Sequence, residues 1–210
     1  MTAAKKSAGK KKRTYHHGDL RSALLEAARQ ELHEVGWREL SLRSVARRAG
    51  VTHTAAYHHF ADKNALLVTI AIEGFVRLDS YMAQEMEAAG ADPVERLLAS
   101  GDGYLRMAAE DPLAYDLMFN GVARQIPERS ADQPDAFQRL LDAVKAARQA
   151  TGRTDDDALS DAMMHWELVH GCAMLMRIGA FAQRGITLQE HGRYLRERLR
   201  ALYQSQTLAR

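Results

Sequence analysis

Arginine, histidine, threonine and tyrosine crowd into one short stretch, Leu40–Phe60, and no acidic residue interrupts it. Arg43, Arg47 and Arg48 lie in its first half. Thr52, His53, Thr54, Ala55, Tyr57 and His58 lie in its second. Cations without a neighbouring acid suit phosphates, which supply most of the affinity for a nucleic acid. Hydroxyls, imidazoles and small methyl-bearing side chains suit the major groove, where base edges offer donors, acceptors and the thymine methyl. Tyr57 can give its hydroxyl to a phosphate, and Lys63 can hold another.

Other chemistry is poorly served. The chain has nine histidines, but His16-His17 and His58-His59 are adjacent pairs whose side chains diverge on a helix. His165 and His170 are five apart, which also misses the four-residue spacing of two ligands on one helical face. No metal site and no cofactor is expected. Cys172 stands two residues from His170, so on a helix the two point apart and make no nucleophile and base. There is no phosphate-binding glycine loop and no serine elbow. The chain is expected not to be an enzyme.

The 210 residues have room for one large domain or two small ones. With only 4 prolines and 14 glycines among abundant Ala, Leu, Arg and Glu, they read as mostly helix. A single cysteine rules out an internal disulfide and fits a reducing cytoplasm. No apolar run reaches the roughly 18 residues of a membrane span, and the first 13 residues lack the apolar segment of a secretory signal. Charge is unevenly spread. Residues 1–60 hold 12 Lys/Arg against 5 Asp/Glu, whereas residues 61–210 hold 17 against 22. A basic N-terminal quarter on an acidic remainder suggests an anionic polymer as partner for the N-terminus alone. Residues 1–14 form a basic tail expected to be disordered. It is either a solvated tail or an arm that adds phosphate or minor-groove contacts.

Helix signals follow one after another, and no strand is credible. Asp19 opens a helix to about Val35, where Leu20, Leu24, Ala27, Ala28 and Leu32 share a face and Gly36 follows as a stop. Ser41 caps Leu42–Ala49, and Thr52 caps a helix to about Phe60. Asp62 starts a long helix, Lys63 to about Ala89. Asp92-Pro93 opens one to about Glu110, and Asp111-Pro112 one to about Asn120. Residues 121–133 read as a loop, and Pro134 starts a helix to about Ala150. A long helix runs from about Asp157 to Gln183 across Gly171 and Gly179, and Thr187 caps the last, Leu188 to about Gln204. The expected fold is all-α with about nine helices: a helix-turn-helix domain over 15–62 and a helical domain over 63–210.

Within 40–60, two short helices meet at Ala49-Gly50-Val51. Gly50 permits the positive φ such a turn needs, and Ala46 lets the second helix cross closely. Val45, Ala49, Val51 and Ala56 form the inner face. This is the logic of a helix-turn-helix. Residues 15–75 resemble the DNA-binding domain of the TetR family of bacterial transcription regulators. The resemblance rests on GDLRSALLEAARQELHEVGWRELSLRSVARRAGV and on the run from Tyr57 to Leu67, with its YxHFxxKxxLL pattern. It implies that Thr52 caps the recognition helix. It implies that His53, Thr54 and Ala55 sit nearest the bases, and that Arg43, Tyr57, His58 and Lys63 bind the backbone. Arg47 shares the face of Arg43. Phe60, Leu66 and Leu67 read as core. The family often has a glycine and a large aliphatic before the tyrosine; Ala55 and Ala56 replace them and shorten the recognition surface.

The segment His165–Gly171 resembles the Trp-x-x-x-His-Gly motif of one TetR C-terminal subclass. In the family the rest of the chain dimerises and binds a ligand. Tyr104, Met107, Tyr115, Met118, Phe119, Met163, Trp166, His170 and Met174 are the candidate pocket; ordinary core is the competing reading for each Met. Val169, Ala173, Phe181, Tyr194, Leu195 and Leu199 are the candidate dimer seam, with intrachain core again competing. The resemblance thus implies a homodimer binding a palindromic double-stranded operator and releasing it when an unidentified, largely apolar small molecule binds. The helix from Lys63 is the expected coupling element. A ligand-independent regulator, an activator, and a helical small-molecule-binding protein or enzyme with an incidental basic N-terminus are the alternatives.

Overall fold

The computed structural model describes residues 17–119 and 135–204. The basic tail, the loop read at 121–133, and the helix limits expected at Asn120 and Pro134 lie outside the described residues. Among the described residues the chain is all-α, with no strand and nine α-helices. These are α1 (His17–Glu39), α2 (Leu42–Arg48), α3 (His53–His59), α4 (Lys63–Ala88), α5 (Pro93–Glu110), α6 (Pro112–Phe119), α7 (Ala136–Ala150), α8 (Ala158–Arg177) and α9 (Leu188–Gln204).

Side-chain caps set most of the starts. Ser41, Thr52 and Asp92 each accept backbone N–H groups from the first turn that follows. Asp62 accepts from Ala65 N at 2.8 Å and Asp111 from Ala114 N at 3.1 Å. Each satisfies a donor that the helix itself leaves unpaired. Three limits differ from the sequence reading. α1, expected to stop at Gly36, breaks there, with Gly36 at φ +76, and resumes to Glu39. It begins at His17, so Asp19 falls in its first turn and not at its cap. The helix expected over 157–183 stops at Arg177. There Ala180 N donates to Leu175 O at 3.0 Å and Gly179 N to Met176 O at 3.0 Å, with Gly179 at φ +71. That paired-hydrogen-bond stop needs a left-handed residue, which Gly179 supplies. A single 3-10 turn, Ala182–Arg184, follows before α9.

The chain divides into two compact units between Leu66 and Leu67, within the first turn of α4. In the first, Leu24, Ala28 and Leu32 of α1 are buried with Leu42, Val45 and Ala46 of α2 and Ala56 of α3. Phe60 is buried as well, as the sequence reading holds. In the second, α5 is the central helix and packs against α6, α7, α8 and α9. It approaches α4 so closely at Gly103 that a Cβ there would lie 2.6 Å from the Tyr81 carbonyl oxygen. Arg196 and Arg200 of α9 both bind the Glu95 carboxylate of α5 at 2.8 Å.

His165, on α8, lies 3.1 Å from the Tyr203 hydroxyl of α9. Burial lowers its imidazole from 6.5 to about 4. The folded chain therefore holds it neutral, while the unfolded chain protonates it near 6.5. Its contribution is whole above that value and is lost as pH falls towards 4. His165→Gln is expected to remove about 3 kcal/mol of the parent's loss of stability between pH 6.5 and 4, read by urea unfolding across that range. Superimposable pH profiles of parent and variant would refute this.

Candidate nucleic-acid interface and ligand cavity

The turn between α2 and α3 sets the geometry of the basic stretch. Val51 N donates to Ala46 O at 3.0 Å and Gly50 N to Arg47 O at 3.2 Å, with Gly50 at φ +70. This closes α2 and swings the chain so that Thr52 starts α3, its Oγ1 accepting from Ala55 N at 3.2 Å. Leu42, Val45, Ala46 and Ala56 turn inward. Ala49 and Val51, read as inner face, are half-buried.

That leaves one outer surface. Thr52, His53, Thr54, Tyr57 and His58 are exposed on or just before α3, and Ala55 is half-buried behind them. The His53 and Tyr57 rings meet edge to face at 4.5 Å, which couples their orientations. Arg43 and Arg47 are exposed on α2 and have no acidic partner among the described residues. Arg48 departs from the expected unpaired cationic face. Its guanidinium reaches back to α1, donating from Nη1 to Glu34 Oε1 at 2.9 Å and lying 3.6 Å from Glu31. Glu31, itself buried, also accepts from Ser44 Oγ at 2.6 Å. Arg48 thus holds α2 on α1. One step round the helix turns it from the side that Arg43 and Arg47 share. Lys63 Nζ donates to the Arg38 carbonyl at 2.7 Å, which fixes the ammonium beside the unit and leaves two of its three donors.

In the second unit lies a cavity of about 120 Å³. Its walls include Tyr104, Phe119 and Trp166 of the candidate pocket. Phe75, Leu78 and Met82 of α4 and Phe137 and Leu140 of α7 line it too, with Asp135 and Ala136 at the start of α7. Sequence reasoning missed these residues, because a helical apolar period marks burial without marking a cavity. Met107 and Met118 are fully buried core, and Met118 fills the space over Gly74. Met163 and Met174 do not join the pocket: they are 38% and 42% exposed. The buried stripe of α8 runs Ala162, His165, Val169, Ala173. Met163 and Met174 each sit one residue past it, about 100° round the helix.

Tyr115 and His170 lie behind the cavity wall with Tyr104. The Tyr104 and Tyr115 hydroxyls lie 2.8 and 2.9 Å from His170 Nδ1, and 3.5 Å from one another. Trp166 Nε1 donates to the Tyr104 oxygen at 3.4 Å. Burial lowers the His170 imidazole and raises both phenols, Tyr115 to about 12. The cluster is therefore neutral at ordinary pH.

Of the candidate dimer seam, Val169, Ala173, Phe181 and Leu199 are buried within the chain's own core, and Leu195 is half-buried against it. Only Tyr194 is exposed. α8 is apolar nearly all round, so its periodicity does not tell the inner stripe from the outer one. The outer one carries Met163, Met174, Leu175 and Ile178, the last 66% exposed. Among the described residues no helix is long and apolar enough to cross a membrane, and no cluster of His, Cys, Asp and Glu could hold a metal ion.

Residues 24–70 match the family model of bacterial regulatory proteins, tetR family, and residues 97–202 that of the tetracyclin repressor-like C-terminal domain. The HTH-type transcriptional regulator BetI of Yersinia pestis (strain Pestoides F) is 36% identical over 84 residues, 40% of this chain and 42% of that protein. The match thus spans about two fifths of that relative's length. The HTH-type transcriptional repressor Rv1474c of Mycobacterium tuberculosis is 29% identical over 150 residues, 70% of this chain and 76% of that one. A solved structure of a protein of unknown function from Rhodococcus sp. RHA1 is 30% identical, with a TM-score of 0.76 over 90% of this chain and 97% of its own. With both parts matched, the chain belongs to the TetR family of bacterial regulatory proteins.

Proposed function

We propose that the chain is a transcription regulator, not an enzyme, that acts in the cytoplasm as a homodimer. It binds a palindromic double-stranded operator and releases it when a small, largely apolar molecule enters the cavity. The observation that carries this reading is the exposed α2–α3 surface. There two arginines of α2, without an acidic partner among the described residues, stand beside a row of hydroxyl and imidazole groups on a helix too short to be held by anything but its packing. Arg43, Arg47, Tyr57, His58 and Lys63 take phosphates, whereas His53, Thr54 and Ala55 face base edges.

One such helix covers a half-site, and a second copy supplies the other. The outer face of α8, with Met163, Glu167, Gly171, Met174 and Ile178 stepping by four, four, three and four, is the seam, continued by Tyr194 and Leu202 of α9. A Cβ on Gly171 would meet nothing within 4 Å, so the protomer itself does not require a glycine there. A partner helix crossing at Gly171 does. Ligand linkage then runs through α4, which carries the cavity residues Phe75, Leu78 and Met82 and begins in the first unit. To move the operator from nearly full to nearly empty, the ligand must prefer the released state by about 5 kcal/mol. Repression follows from occlusion of a promoter.

Selection from a pool of randomised duplexes tests the reading. The parent is expected to enrich one palindrome, and His53→Ala to enrich a different sequence while its affinity for random DNA stays within about twofold. A parent that enriches nothing, or a variant that enriches the same palindrome as strongly, would overturn the assignment.

A further inference from the structure

The Tyr104–Tyr115–His170 cluster holds one phenolic hydrogen too many. Both hydroxyls lie within 2.9 Å of the same nitrogen, His170 Nδ1. A neutral imidazole nitrogen accepts one proton, or in the other tautomer donates one and accepts none. Among the described residues at least one phenol therefore has no acceptor nearer than the other phenol's oxygen, 3.5 Å away and at the outer limit of a hydrogen bond. With Tyr115 donating to Nδ1, the spare hydrogen is that of Tyr104. Its oxygen already accepts from Trp166 Nε1, and both side chains line the cavity. A buried donor without an acceptor is a costly arrangement, and a bound acceptor removes the cost.

The cavity restricts what can bring that acceptor. At about 120 Å³ it is far below a drug-sized pocket. It is close to the ~150 Å³ apolar cavity that admits benzene. Four of its walls are the rings of Phe75, Phe119, Phe137 and Trp166. Among the described residues no lysine, arginine or histidine lines it. His170 behind it is kept neutral by burial, and the nearby Arg177 is bound to Asp116 on α6. An anion would find no cation among the described residues. Among them the one lining carboxylate, Asp135, is exposed and accepts the Phe137 and Gln138 N–H groups that open α7. A cation would face the Trp166 and Tyr104 donors.

We infer that the effector is a neutral, single-ring molecule bearing one hydrogen-bond acceptor, which the Tyr104 hydroxyl holds while the rings enclose its body. This rests on the regulator reading and names the ligand class of its cavity.

Fluorescence titration of the Trp37→Phe chain, in which Trp166 is the sole indole, tests this without DNA. Benzonitrile is expected to change the emission saturably and to bind at least tenfold more tightly than toluene, which has the same ring and no strong acceptor. Benzoate, benzyltrimethylammonium and decanoate are expected to bind more weakly than benzonitrile. Tyr104→Phe should abolish the tenfold preference and leave toluene binding unchanged. Tyr115→Phe should shrink the preference too, because Tyr104 is then the only phenol available to Nδ1. The inference is overturned if the charged probes or decanoate bind more tightly than benzonitrile, if no ring compound saturates, or if both variants keep the preference. Saturable binding with no effect on a DNA complex would instead overturn ligand release and leave this inference standing. Release by some other compound, without ring binding, would do the reverse.

Discussion

Replacing Arg43 and Arg47 together by alanine is expected to weaken binding to every duplex alike, by about a hundredfold at physiological salt, at roughly 1.4 kcal/mol per lost charge-assisted contact. The same change should lower the slope of log affinity against log salt by about two. Both side chains are exposed and unpaired among the described residues, so nothing in the fold depends on them and unfolding should be unchanged. Arg48→Ala should behave oppositely. Its guanidinium is engaged by Glu34 and Glu31, so it should cost stability of the first unit before it costs salt dependence. Salt-series titrations of the parent and the two variants beside thermal unfolding check both statements. An unchanged slope in the double variant would remove these arginines from the interface.

Gly103→Val is expected to destabilise the second unit by about 3 kcal/mol, at the upper end of the cost of overpacking a core. A Cβ at this position would meet the Tyr81 carbonyl oxygen at 2.6 Å and the backbone of Met82 at 2.7 Å. Backbone cannot rotate aside as a side chain does, so α5 would have to move off α4. Because α5 is the helix on which α6, α7, α8 and α9 all pack, the shift would spread through the unit. A fall in Tm of about 10 °C follows for a chain of this size. Gly171→Val makes the control: it meets nothing within 4 Å in the protomer and valine is the better helix former, so the protomer should lose no stability there and dimerisation should weaken instead. Thermal unfolding and sedimentation of the two variants separate these effects, and equal loss of Tm in both would contradict the distinction.

What was legible in the sequence was local. Ser41, Thr52, Asp62, Asp92 and Asp111 announce helix starts because each capping bond runs only two or three residues along the chain. Gly50 and its exposed row of polar neighbours are legible for the same reason. What needed the fold is what other helices supply. Arg48, one residue past the candidate Arg47, is taken up by Glu34, fourteen residues away on α1. The cavity walls Phe75 and Phe137 come from helices that carry no motif. Trp166 of α8 lines the cavity as read, whereas Met163 and Met174 miss the buried stripe by one residue. In a helix apolar on nearly every side, period alone does not separate these exposed methionines from the buried Ala162 and Ala173 about 100° away. Gly179 looks tolerable in mid-helix at a cost near 1 kcal/mol, until its neighbours' hydrogen bonds show it ending α8.

The most direct test of the central claim is titration of the full chain against labelled DNA flanking its own gene, with excess unrelated duplex, at two salt concentrations. Saturable binding is expected that survives the competitor, takes up two or a multiple of two protomers per site, and weakens steeply with salt. Binding that unrelated DNA abolishes at every flanking sequence, or that barely responds to salt, would contradict it.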